Sequence, residues 1–249
     1  LIRITTVPLS LEKLLENQPR FFSSYYDITL VSSDENSLSK IASEQGVKCF
    51  PLEMTRKITP LQDLRCLVQL VRFLRKEQPH FVHSHTPKAG IIGMLAAYIA
   101  RVPVRMHTVA GMPLMEATGF KRRILNLVER ITYSCATRVY PNSKGLQDFI
   151  IQSAFCKATK LKVLGSGSSN GIDTSYFDPD QVSENQKEAL KKELQIKPAD
   201  YVYCFVGRLV KDKGIDELIE AFTAISDKNR AAKLILVGHT EADLDPLLP

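Results

Sequence analysis

The chain has 249 residues, 44% of them hydrophobic and 24% charged, which allows one large or two modest domains with a proper core. A net charge of +6 and a pI near 9.0 point to an anionic partner, without choosing among a nucleotide diphosphate, an anionic lipid and nucleic acid. Neither a secretory leader nor a membrane span is visible: the longest uncharged apolar run, Ala89 to Ala100, is too short to cross a bilayer.

Ile2 to Val7 reads as a first strand; because the chain opens on Leu1 and goes straight into it, the start looks trimmed. Pro8-Leu9-Ser10 leads into a helix with Ser10 as its expected cap and Leu11, Leu14 and Leu15 on one face. Ile28 to Val31 is a second strand, Leu38, Ile41 and Ala42 mark a helix stopped at Gly46, and Val47 to Leu52 is a third strand. Thr59-Pro60-Leu61-Gln62 predicts a capped helix start, followed by Leu61, Leu64, Leu67, Val68, Val71 and Leu74 at helical spacing. His80 to His85 is a strand, Thr86-Pro87 opens a helix to Ile99, and Pro103 to His107 is the next strand. Phe120, Ile124, Leu127, Val128 and Ile131 predict the apolar stripe of another helix. Thr137 to Tyr140 is a strand, Ser143 caps a helix to about Gln152, and Leu161 to Leu164 closes the block.

Strands and helices alternating in this way predict an α/β, doubly wound parallel sheet of Rossmann-like type over residues 1–172, with ligands bound beyond the carboxyl ends of its strands. Residues 173–200 read as a polar connection carrying one amphipathic helix. A second Rossmann-like block begins at Tyr201 and runs to residue 249. There Tyr201 to Val206 suits a strand buried on both faces, Gly207 ends it, and Ile215, Leu218, Ile219, Phe222 and Ile225 give a helix. Lys233 to Val237 completes a βαβ unit, so this second domain looks incomplete.

Arg208 and Lys213 bracket the junction of that strand and helix, where backbone N–H groups and the helix dipole favour an anion. They could hold a diphosphate, or they are solvated loop charges; the residues alone leave both readings open. His83 and His85 share one face of a strand end, His80 the other, and their spacing offers only a weak metal site. Polar caps at a strand end explain them equally, as does a ligand cleft beside the helix start at Thr86, Pro87 and Lys88. His107 ends the next strand before a loop in which Gly111 permits close backbone approach. Lys121, Arg122 and Arg123 lie in the first turns of their helix, against its dipole at about 0.3–1 kcal/mol each. That cost suits either contact with an anionic membrane surface, which Arg56 and Lys57 could extend, or a solvated basic end. The five scattered cysteines read as reduced, buried thiols of a cytoplasmic protein. No nucleic-acid motif, Walker loop or GxGxxG occurs, and Asp243-Leu244-Asp245 reads as solvated acid.

Phe205-Val206-Gly207-Arg208-Leu209, Lys213-Gly214 and Leu218-Ile219-Glu220-Ala221-Phe222 together resemble the donor-binding signature of retaining GT-B glycosyltransferases of family 4. Val82 to Gly90, Met106-His107-Thr108, Pro141-Asn142-Ser143, Asn170-Gly171-Ile172-Asp173 and Phe177-Asp178-Pro179 extend that likeness over nearly the whole chain, toward bacterial enzymes of capsule and glycan assembly. The resemblance implies a nucleotide-sugar donor, a lipid-diphosphate-linked sugar acceptor, retention at the anomeric carbon and no metal or other cofactor. It implies that Gly207, Arg208 and Lys213 hold the donor diphosphate and that His107 contacts the donor sugar. His85, Thr86, Lys88, Gly111, Asn142 and Ser143 then border the acceptor side. Two features depart from the family. The loop from Val7 to Leu11 lacks the usual glycines, and the chain stops before the Glu-x7-Glu region that grips the donor, so weak turnover is expected of it. A non-catalytic membrane- or ligand-binding module is the rival reading.

Overall fold

The computed structural model of the protein describes residues 1–115, 117–168 and 171–240. Asn170, within one of the resembling motifs, and Asp243 to Asp245 lie outside the described residues. The chain divides into two compact units, Leu1–Gly171 and Ile172–Pro249.

The first unit is a six-stranded, wholly parallel sheet in the order β3-β2-β1-β4-β5-β6, formed by β1 (Ile2–Ile4), β2 (Thr29–Ser32), β3 (Lys48–Pro51), β4 (Phe81–Ser84), β5 (Val104–Val109) and β6 (Arg138–Pro141). The order reverses beside β1, the doubly wound arrangement in which ligands gather at the carboxyl edge. On one face, α1 (Pro8–Leu15) and α3 (Glu35–Gln45) bury Leu11, Leu15, Leu38 and Ala42 against Ile28 and Leu30. On the other, α4 (Pro60–Glu77), α5 (Pro87–Ile99), α6 (Gly119–Cys135) and α7 (Lys144–Gln152) enclose the larger core around Ile4, Leu70, Met94, Tyr133 and Ile150. A short α2 (Gln18–Ser23), with no apolar period to announce it, follows α1.

Several local expectations hold for the stated reasons. Gly46 ends α3 in the left-handed region at φ 68, and Ser143 accepts from the Leu146 N–H to cap α7. Others do not. Ser10 lies inside α1, which starts at Pro8. Thr59 spends its hydroxyl on the Asp63 carboxylate at 3.0 Å, and Gln62 donates to the Glu53 carbonyl, so no capping box forms. Leu161 contributes one isolated bridge to Val139 in place of a strand.

The larger correction concerns α6. Its buried residues are Glu129, Thr132, Tyr133 and Cys135, while Phe120, Ile124 and Leu127 face solvent. The predicted stripe is thus split: its first three residues point outward, while Val128 is half-buried and Ile131 packs against the core. Burial holds the Glu129 carboxyl above the usual carboxylate range.

In the second unit, α8 (Glu184–Glu193) opens with a reciprocal Ser183–Gln186 capping box. β7 (Tyr201–Val206) and β8 (Ala232–Val237) pair in parallel across α9 (Ile215–Lys228). β7 is largely exposed, not buried on both faces, because two strands and one crossover helix cannot cover both sides of a sheet. The thiols also divide: Cys66 and Cys135 are buried and Cys156 partly so, whereas Cys49 and Cys204 are exposed.

Candidate active site

At the carboxyl edge of the first unit, β1 runs into Thr5 and Thr6. Without glycine, hydroxyls close this turn: the Thr6 N–H donates to Thr86 Oγ1 at 3.0 Å, their hydroxyls meet at 2.6 Å, and Thr5 donates to the Val7 carbonyl at 3.0 Å. The Thr6 amide is therefore committed within the fold, which removes it from a phosphate cradle.

The strand period splits the histidines between the two faces of the sheet. On the α1 side, buried Arg3 donates Nε–H to His85 Nε2 at 3.0 Å and an Nη2 hydrogen to Gln18 at 3.0 Å. Receiving that hydrogen at Nε2 makes His85 a neutral ring protonated at Nδ1. Its neighbour His83 lies 4.0 Å away, centroid to centroid, and bonds Thr108 Oγ1 at 2.8 Å. Burial first, then the nearby charges, drives both imidazoles well below their ordinary pKa. Burial also lowers Arg3, to about 10. Sequence reasoning passed over Arg3, although a cation between Ile2 and Ile4 in an apolar strand was a visible signal.

His107 points to the opposite face. Its Nδ1 meets Ser84 Oγ at 2.8 Å, α5 crosses above the ring at Gly90, and only 3% of the residue is exposed. Burial pushes its pKa down to about 4. The ring is enclosed between Ser84 and the start of α5 rather than presented at the surface. The exposed groups at that strand end are Ala110 and Gly111, and a Cβ on Gly111 would meet nothing.

Lys88, expected on the acceptor side, is engaged by the Asp63 carboxylate at 2.6 and 2.7 Å and by the Lys57 carbonyl at 2.5 Å. It ties the start of α5 to that of α4 and brings no uncompensated charge. Asn142 and Ser143 follow β6; the Ser168 N–H donates to the Asn142 carbonyl at 2.6 Å. Gly167, at φ 99, lets this loop approach, since a Cβ there would lie 2.3 Å from that carbonyl. In the basic run, Lys121 and Arg123 are exposed, but Arg122 turns back to the Met115 carbonyl and lies 5.9 Å from the Phe149 ring centre.

In the second unit, parallel pairing with the β8 side continues past the end of β7: Gly207 N–H bonds the Val237 carbonyl and Leu209 N–H the His239 carbonyl, each at 2.9 Å. Gly238 sits so close to Gly207 that a Cβ would fall 1.7 Å from its carbonyl oxygen. Arg208 reaches Asp212 at 3.4 Å, both half-exposed. Lys213 ends a short 3-10 turn, Lys211–Lys213, and Gly214 enters α9 at φ 72 with no side-chain cap. Arg208 and Lys213 thus both lie in the connection from β7 to the start of α9, where Asp216 and Glu217 already complement the dipole. No group of three His, Cys, Asp or Glu side chains able to hold a metal occurs among the described residues.

Comparison with known proteins gives this geometry a setting. Residues 24–167 match the glycosyl transferase 4-like domain, and residues 186–247 match the glycosyl transferases group 1 domain. The chain is 39% identical over 217 residues to the capsular polysaccharide biosynthesis glycosyltransferase CapM of Staphylococcus aureus, covering 87% of this chain and 55% of that one. It is 29% identical over 222 residues to the UDP-Gal:α-D-GlcNAc-diphosphoundecaprenol α-1,3-galactosyltransferase of Escherichia coli, again 87% and 55%. The chain therefore spans about half the length of the curated relatives it matches. Among solved structures, Anabaena HepE in complex with UDP and glucose superposes with a TM-score of 0.69 at 18% identity, over 96% of this chain and 61% of that one. That likeness bears on the fold.

Proposed function

We propose, from the premise that this chain belongs to the glycosyl transferase family with a 4-like first domain, that it takes part in moving a hexose-type sugar from a nucleotide donor to a lipid-diphosphate-linked acceptor, with retention of configuration, in bacterial polysaccharide assembly. The observation that carries the reading is the junction of β7 and α9, where Arg208 follows the end of β7 and Lys213 immediately precedes Gly214 at the start of α9. Cations fixed there would offset negative charge growing on a leaving diphosphate, a role that asks for no metal and no protein nucleophile. The E. coli relative's name specifies a UDP-sugar donor and a diphosphoundecaprenol acceptor, which supports the same substrate classes here.

The first unit supplies the acceptor side. His107 acts through packing, holding the start of α5 in place, while Thr86, Gly111, Asn142 and Ser143 lie at the carboxyl edge and the His85–Arg3 pair stands behind them. Lys121 and Arg123 face outward for an anionic membrane, at the inner face of the cytoplasmic membrane; no described helix is long and apolar enough to cross one.

Calorimetric titration with UDP tests this reading. Saturable binding is expected, weakened tenfold or more in Arg208→Ala and in Lys213→Ala, each charge-assisted bond contributing about 1.5–3 kcal/mol. A chain that binds vesicles but takes no nucleotide would instead be the non-catalytic module. UDP binding indifferent to both substitutions would remove the proposed diphosphate seat.

A further inference from the structure

Arg3 is a buried cation whose partners are all neutral. It stands in β1 between Ile2 and Ile4 with 4% of the residue exposed. Its Nε–H donates to His85 Nε2 and an Nη2 hydrogen to Gln18 Oε1, each at 3.0 Å, and the guanidinium carbon lies 5.9 Å from the centre of the Phe22 ring. Among the described residues, no carboxylate comes within ion-pair reach of it. A guanidinium held out of water is normally paired, because an uncompensated buried charge is costly. His85 follows the end of β4, where its N–H donates to the Ile4 carbonyl at 3.1 Å, and it precedes Thr86, whose hydroxyl closes the turn at the carboxyl edge. A guanidinium can only donate, so Nε2 is the acceptor and the proton of the ring sits on Nδ1. That hydrogen meets no acceptor among the described residues, and its nitrogen is not sealed from solvent. The other two rings nearby are engaged elsewhere: His83, 4.0 Å away, by Thr108, and His107, on the opposite face, by Ser84.

We propose that Arg3 is a positioning residue: by holding Nε2 it fixes His85 as the Nδ1–H tautomer, and His85 presents that hydrogen, backed by the buried cation, to a diphosphate oxygen at the carboxyl edge. An unrestrained neutral imidazole divides between two tautomers, only one of which keeps the donor on Nδ1. Hydrogen-bonded to a guanidinium, the ring is polarised, and its remaining N–H is a stronger donor that favours an anionic oxygen over a neutral one. The charged and titratable groups around His85 are Arg3 and His83, with His107 across the sheet. Burial first, then their charge, keeps a second proton off the ring. His85 therefore stays a neutral donor, and the charge that draws the anion is that of Arg3. An anion seated there supplies the counter-charge that the guanidinium lacks within the fold. The inference rests on the proposed lipid-diphosphate acceptor for the source of that anion, and adds to its site a residue, Arg3, and a protonation state. An Arg3 that only tied α2 to the sheet through Gln18 would leave the tautomer without effect on any anion.

Two-bond proton–nitrogen NMR correlations read the tautomer directly, and with five histidines in the chain the spectrum is assignable by single substitutions. Spectra are taken in the Arg208→Ala/Lys213→Ala background, so that added pyrophosphate does not report on the proposed donor seat. UDP titration tests that seat separately, which makes the two failures distinguishable. Expected for His85 is the Nδ1–H form with no titration near the ordinary 6.5, and movement of the proton wholly or partly to Nε2 in Arg3→Met. Inorganic pyrophosphate should shift the His85 signals saturably, with an affinity about tenfold weaker in Arg3→Met and in His85→Phe. Arg3→Lys, which keeps a cationic donor, should keep the tautomer and the binding. The His107 signals, from the other face of the sheet, show that each variant is folded. His85 protonated on Nε2 without any substitution at Arg3, no response to pyrophosphate, or affinity indifferent to His85→Phe would each overturn the proposal. So would pyrophosphate binding that persists undiminished in either Arg3 variant once the tautomer is lost.

Discussion

Gly90→Ala isolates the packing that fixes the start of α5. A Cβ at residue 90 would lie 2.6 Å from Cε1 of His107, 3.1 Å from Nε2 and 3.2 Å from Nδ1. The ring cannot retreat freely, because Ser84 Oγ holds Nδ1 at 2.8 Å and the residue is buried. Overpacking of this kind costs about 1–3 kcal/mol, against a gain of about 1 kcal/mol from replacing a helical glycine with alanine. The single variant should therefore be neutral to about 2 kcal/mol less stable. The sharper quantity comes from a double-mutant cycle with His107→Ala, in which the methyl group has space and Gly90→Ala should stabilise by about 1 kcal/mol. Urea unfolding of the four proteins gives a coupling of about 1–3 kcal/mol between the two positions. A Gly90→Ala effect of the same sign and size with and without the imidazole would refute the argument that His107 is a packing element beneath α5.

In the second unit, Gly238→Ala puts a Cβ 1.7 Å from the Gly207 carbonyl oxygen, and should lower stability by about 1–3 kcal/mol or more. Gly207→Ala meets only Phe205 ring atoms at 3.2 and 3.3 Å and should cost less; denaturant titration ranks the pair. His107 is held near pKa 4 in the fold against an ordinary 6.5, so the unfolded chain takes up its proton first. Its contribution is complete above pH 6.5 and is lost as pH falls toward 4, at a cost on the order of 3 kcal/mol, with His83 and His85 acting in the same direction. Stability measured across that window should fall less steeply in His107→Gln. Asp212→Asn removes the carboxylate 3.4 Å from Arg208 and should tighten UDP by up to about fivefold, since an exposed pair is worth up to about 1 kcal/mol. Weaker UDP binding in this variant would mean that Asp212 helps hold the nucleotide instead of competing with it.

How much of this was legible in one dimension can be traced residue by residue. Alternating apolar runs, the Gly46 stop and the Ser143 cap gave the doubly wound fold, since these signals act within a few residues along the chain. The Gly207-Arg208 and Lys213-Gly214 pattern likewise marked the strand–helix junction, because backbone turns of that kind demand particular residues at particular offsets. Periodicity identified the apolar faces of α4 and α6 but could not say which face met the sheet. A helix can carry two such stripes, and the choice is made by α5 packing against one of them. The fates of Lys88, Arg122 and His107 were likewise invisible, because Asp63, Phe149 and Gly90 lie 25, 27 and 17 residues away along the chain and meet them only once the sheet is assembled. Local sequence determined where strands, helices and charges occur; long-range packing decided which of those charges are paired, which histidine is enclosed, and which leucines remain facing water.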